Sequence, residues 1–313
     1  MNGTKPLSFL IAIVCVFVVM LLVALLGPSL FNNDDLQLDE TGVLRFVYVG
    51  VGLLIVLLVY WFTRDKDAWK VGTREVVYKA IGAALYAVFS YLFNGTVFAV
   101  PSVSQVALRP AICIPMFFGY AFGPVVGLFT GAVGNMFGDA LTGFGLSPQW
   151  SVGNGLIGMV SGMIALYADR KRVMDIVMYI SAALALVATL FWVVKPDLAN
   201  MMFFDADAGI FGDATISTFA ALSAVIGFVL VVVVRLLFRD DLDMAAAVTW
   251  AMLGNFVGIG FAALSDIHIN GFSPQVAIVG EFLPAAGPNM IFAVILVPIL
   301  IAAYRAFQRQ TGR

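Results

Sequence analysis

A single histidine and only two cysteines in 313 residues leave this chain nearly bare of the side chains that hold metals or build a disulfide framework. Charge is scarce too, with 12% Asp, Glu, Lys and Arg against about 25% in ordinary soluble domains. No G-x-x-x-x-G-K-[ST] phosphate loop occurs, so the chain is not expected to hydrolyse ATP by itself. H-E-x-x-H and G-x-S-x-G are missing as well, and the lone His268 has no reactive partner in the pattern. The chain therefore reads as a binder rather than an enzyme, with no cofactor implied. Its basic residues form short flanks instead of a patch, which gives nucleic-acid binding no support.

What the chain has in abundance is apolar surface, at 62% of residues. Apolar runs close to the ~20 residues that span a bilayer as helix recur throughout, without the ten-residue alternation of a barrel. The fold class is an all-α integral membrane protein. Breakers and hydropathy place helices near 7–27, 43–62, 75–97, 109–122, 124–141, 150–168, 174–194, 214–238, 245–265 and 288–307. The first run, behind Lys5, exceeds the roughly 7–15 apolar residues of a secretory signal core and is read as an uncleaved span. Cys15 and Cys113 both lie inside apolar runs and read as small core residues.

If the N-terminus is cytoplasmic and each segment crosses once, 14 of the 17 Lys and Arg fall inside, leaving only Arg45, Arg109 and Lys195 outside. Both termini are then cytoplasmic in a multi-pass prokaryotic plasma membrane protein. The turn "GFGLSPQW" at 143–150 and its echo "GFSPQV" at 271–276 share the outer side.

An ionisable group in the hydrocarbon costs on the order of 2.5–3.5 kcal/mol on insertion scales, so the few present need a reason. They are Arg109, Asp139, Asp266 and Glu281, accompanied by Asn135, Asn154, Asn255 and Asn289. Asn135 and Asp139 are four apart and share a helix face. Each turn carries an aspartate before it and a polar residue about two helical turns after it, Asn154 in one copy and Glu281 in the other. Ser147 and Ser273 are placed to cap the helices that Pro148 and Pro274 begin. The cluster reads as one outward-facing polar pocket, against the plainer reading in which the asparagines join helices and the aspartates mark helix ends. Trp150 suits either a planar ligand or the membrane interface.

The stretch "AIGAALYAVFSYLF", the long run "LRPAICIPMFFGYAFGPVVGLFTGAVGNMFGDALTGFGLSPQWSVGNGLIGMVSGM" and the late "EFLPAAGPNMIFAVILVPILIAAY" together resemble the substrate-binding S components of energy-coupling factor (ECF) transporters. The resemblance covers about 75–170 and 245–308. It implies a six-helix core, a vitamin or similar nutrient bound in the outer half, and partnership with a transmembrane coupling protein and two ATPases. In the family, an A-x-x-x-A pattern on the first core helix meets the coupling protein, which here singles out Ala80, Ala83, Ala84 and Ala87. Family ligand sites draw on the later helices and outer loops, which puts Asn135, Asp139, Trp150, Asn154, Asn255, Asp266, Glu281 and Asn289 in range. The segment 94–108 matches the family's lid, with Gln105 and Arg109 at its end.

The resulting organisation is two additional helices in 1–70, four core helices in 71–172, an inserted pair in 173–243, and the last two core helices with a basic tail in 244–313. That makes a six-helix S-component-like core plus about four additional transmembrane helices. The expected function is capture of a small nutrient for ATP-driven uptake, and the polar and aromatic residues suit a planar heterocycle such as a flavin or thiamine fragment. A second reading is a self-sufficient ion-coupled secondary transporter using Asp139, Asp266 and Glu281.

Overall fold

The computed structural model describes residues 4–94, 99–100, 106–142, 145–194, 203–205, 210–212 and 218–311. Ten helices follow one another: α1 (Thr4–Phe31), α2 (Gly42–Thr63), α3 (Thr73–Asn94), α4 (Cys113–Phe122), α5 (Pro124–Thr142), α6 (Pro148–Gly162), α7 (Arg170–Val194), α8 (Thr218–Leu237), α9 (Leu242–Ile269) and α10 (Leu283–Gln310). Seven of them are long and apolar enough to cross a membrane, the exceptions being α4, α5 and α6. Two small antiparallel hairpins interrupt the helical pattern, β1 (Ala99–Val100) with β2 (Val106–Ala107), and β3 (Phe203–Asp205) with β4 (Ile210–Gly212).

The helix boundaries have local causes. Gly123, with φ of 104°, stops α4, and Pro124 starts α5 in the next position because a first-turn amide needs no intrahelical acceptor. Asp241 caps α9 by accepting from the Met244 amide at 3.1 Å. Of the two expected serine caps, Ser273 accepts from the Val276 amide at 3.2 Å, whereas Ser147 makes no side-chain cap and leaves the start of α6 to Pro148. The last helix begins well before the expected residue 288. A π-helical turn, Val276–Phe282, runs directly into α10, which continues through Pro288 and Pro298. Proline stops a helix in water, but packing inside a membrane bundle compensates the lost bond.

Glycine sets the spacing of the central helices. A Cβ at Gly127 would fall onto the Gly158 carbonyl, and one at Gly158 onto the Gly127 carbonyl, so α5 and α6 touch backbone to backbone. Gly153 and Gly258 do the same between α6 and α9. Helix α4 has 10 residues, about 15 Å of rise at 1.5 Å per residue, half of a ~30 Å hydrocarbon layer. It lies among α5, α6 and α10, with Met116, Phe117 and Phe118 buried. Helices α9 and α10 pack on this group, α7 and α8 lie against α9 and α10, and α1 and α2 against α5 and α6. Of the two cysteines, Cys113 is buried as expected, but Cys15 is exposed, since an apolar face of α1 can meet lipid instead of protein.

Candidate functional site

Asn135 is the hub of a buried network at the C-terminal end of α5. Its Oδ1 accepts from Asn154 Nδ2 at 2.8 Å, Arg109 Nη1 at 3.1 Å and the Tyr86 hydroxyl at 3.4 Å. Its Nδ2 donates to Asp139 Oδ2 at 2.7 Å and to Ser151 Oγ at 3.0 Å. The spacing of four residues places Asn135 and Asp139 one turn apart, and α6 supplies Ser151 and Asn154 across the glycine contact. Arg109, at the end of the β1–β2 hairpin, closes the group with Nη2 3.7 Å from Asp139 Oδ1. A guanidinium beside a buried carboxylate balances its charge, while its remaining N–H groups suit a ligand oxygen.

A second network begins one turn earlier on α6. Gln149 Nε2 donates to Asp266 Oδ1 at 3.1 Å, and Trp150 Nε1 donates to Asp266 Oδ2 at 2.8 Å. Asp266 is buried near the end of α9, and its carboxyl also meets that of Glu281, buried in the π-helical turn. Such turns concentrate at functional sites because they rotate a side chain out of helical register. Asp139 and Asn154 thus meet in one network and Asp266 and Glu281 in another, with α6 contributing side chains to both. The two SPQ turns lie at the same end of the bundle.

Other expected residues fall elsewhere. Asn255 donates to the Ala286 carbonyl at 2.8 Å and accepts from Asn289 Nδ2 at 3.0 Å, so this pair ties α9 to α10 away from both networks. Gln105 lies outside the described residues. Trp150 is half-buried with its indole N–H held by a carboxylate, which favours the site over a free interfacial anchor. Gln149, Ser151 and Tyr86 are participants that sequence reasoning missed, although the repeated S-P-Q was a visible signal for Gln149. The second glutamine of the echo, Gln275, donates to the Phe191 carbonyl at 2.7 Å and secures the end of α7 instead.

The four alanines of α3 divide. Ala83 and Ala87 are buried against α5, where the Gly134 and Gly138 positions leave room for them, while Ala80 and Ala84 face outward. At the opposite end from the polar networks, Arg305 bridges Asp241 and Asp243, and Asp243 also accepts from Arg170 and from the Tyr120 hydroxyl of α4. No cluster of metal-ligating side chains occurs among the described residues.

A family model described as ECF-type riboflavin transporter, S component, matches residues 70–237, more than half of the chain. That range takes in α3 to α8, including the pair α7–α8 that sequence reasoning set apart as an insertion, and stops before α9. Among curated proteins, a UPF0397 protein of Vibrio atlanticus (strain LGP32) is 34% identical over 98 residues, 31% of this chain and 52% of the relative. One from Aliivibrio salmonicida (strain LFI1238) is 32% identical over 98 residues, 31% of this chain and 51% of the relative. The chain spans about half the length of the curated relatives it matches. No solved structure matches it.

Proposed function

The chain belongs to the S-component family of energy-coupling factor transporters, and from that premise we propose that it captures a vitamin-class nutrient, riboflavin first among the candidates, for ATP-driven uptake. It is a multi-pass membrane protein and a substrate-binding component; the nutrient and the ATPase partnership are the proposed part. The observation that carries the reading is the pair of polar networks sharing α6, which collects Arg109, Asn135, Asp139 and Asn154 on one side and Gln149, Trp150, Asp266 and Glu281 on the other. Buried donors and acceptors of both signs fit a polyol and a heterocycle edge better than an apolar cargo. The half-buried indole of Trp150 offers a flat apolar face to a ring system.

Energy comes from elsewhere, since the sequence holds no phosphate loop. A coupling protein meets the face that carries Ala80 and Ala84, and two ATPases supply the energy from the cytoplasmic side, the side on which the distribution of Lys and Arg places the start of α3. The deciding experiment is riboflavin titration into the detergent-purified chain, followed by flavin fluorescence. Saturable quenching at one flavin per chain is expected, and its absence rejects riboflavin. Uptake in proteoliposomes with the ATPases and coupling protein should stop when ATP is removed. Uptake that persists on an ion gradient alone would instead favour the secondary-transport reading, with Asp266 and Glu281 as its ion-binding pair.

A further inference from the structure

Gln149 is buried, 1% exposed, at the start of α6, and its amide is held in one orientation. A carboxylate offers acceptors to a neighbouring amide, so the Gln149 nitrogen must face Asp266, as its 3.1 Å bond to Oδ1 records. That choice turns Oε1 the other way, where it is buried and has no hydrogen-bond partner among the described residues. The other oxygen of the same carboxylate holds the Trp150 indole N–H, so Gln149 cannot flip its amide without setting an oxygen against Asp266. The result is a fixed, buried acceptor, and the next residue in sequence, Trp150, has its only side-chain donor already used. A buried acceptor without a donor is unfavourable, and a ligand that supplies the donor recovers the difference on binding.

We propose that Gln149 Oε1 is the specificity-determining acceptor of the site and selects a planar heterocycle carrying an N–H on its edge. The inference rests on the flavin reading above, and in a flavin the group that fits is the imide N–H between the two ring carbonyls. Asp266 is then a positioning residue, fixing which face of the amide the ligand meets. The N–H groups of Arg109 not engaged by Asn135 or Asp139 are left for the hydroxyl-rich remainder of the ligand. A site built around such an acceptor discriminates strongly against a ligand that lacks the donor, because binding would leave the acceptor buried and unpaired.

The test compares riboflavin with its N3-methyl derivative, using flavin fluorescence with the full chain in detergent. Wild-type protein is expected to prefer riboflavin by on the order of 10–100-fold. Gln149→Met, near in size but without the carbonyl, should bind riboflavin no better than the methylated form, and Gln149→Ala, which leaves room for the methyl group, should erase the preference as well. If both variants weaken the two flavins equally and keep their ratio, Gln149 acts only through packing and the proposal fails. It fails too if wild-type protein shows no preference. Wild-type protein that binds neither flavin overturns the flavin reading together with this proposal. Monodisperse elution of each variant in size-exclusion chromatography separates lost recognition from lost folding.

Discussion

At the residue scale, the whole first network turns on one amide. Asn135 makes two donations and three acceptances, which exhausts its Nδ2 protons and crowds its Oδ1. Replacing it by leucine leaves Asp139, Asn154 and Arg109 without their common partner, and each unsatisfied buried group costs about 1–3 kcal/mol. Asn135→Leu is therefore expected to lower the melting temperature of the detergent-solubilised chain and to weaken riboflavin binding by at least about tenfold, the equivalent of ~1.4 kcal/mol. Scanning calorimetry with and without riboflavin checks both, and a variant with unchanged melting and unchanged affinity would remove Asn135 from its place as hub. Sequence reasoning found this residue because an asparagine four positions before an aspartate is conspicuous in an apolar helix. It missed Ser151 and Tyr86, which are unremarkable in type and become participants only when α6 and α3 close on α5. Conversely, Asn255 and Asn289 had the right chemistry and the wrong neighbours: they found each other across α9 and α10.

At the scale of the element, hydropathy and breakers were enough to find ten helices, because lipid leaves few other choices to a long apolar run. They failed where tertiary packing overrides a local rule. Hydropathy places the last helix at 288–307, yet the chain is helical from the π-helical turn at Val276 onward, held by Ser223 Oγ on the Leu283 carbonyl and Asn255 on the Ala286 carbonyl. Helix α3 shows the same limit differently. Two overlapping small-residue patterns look equivalent in sequence, and only the structure distinguishes the Ala83–Ala87 face, packed on α5, from the Ala80–Ala84 face, turned outward. Their substitutions should accordingly separate. Leucine at Ala80 and Ala84 is expected to leave folding and riboflavin binding intact while reducing co-purification with the coupling protein severalfold. Leucine at Ala83 or Ala87 overpacks the contact with α5 and should destabilise the isolated chain by about 1–3 kcal/mol. Pull-down yields read beside thermal melting give both answers, and loss of flavin binding in the Ala80/Ala84 variant would contradict the division.

At the scale of the molecule, the bundle is polar at both ends for different reasons. Helix α9 runs from one polar end to the other, carrying Asp266 in the proposed binding region near its C-terminus and the Asp241–Asp243 pair at its N-terminus. There Arg305 from α10 and Arg170 from α7 converge on the pair, joined by Tyr120 from α4, so four helices are tied together outside the apolar layer. Hydrogen bonds from Arg305, more than any other contact, hold the Asp241 carboxyl below its ordinary value of 3.8, with the Met244 amide and the Arg305 charge adding to the effect. A carboxylate with a depressed value in the folded state contributes stability that is fully present above its unfolded value and is lost as pH falls through the folded one. The acid limb of the stability profile should therefore begin below about pH 4, with Asp39 at the other end contributing to the same limb through its bond from the Thr41 hydroxyl. Asp241→Asn removes the charge that Arg305 binds, so it is expected to melt lower at pH 7 and to lose less stability than wild type between about pH 4 and pH 2. Melting temperatures of the two proteins across that range decide the matter: parallel curves would mean that the Asp241–Arg305 pair carries no part of the acid response.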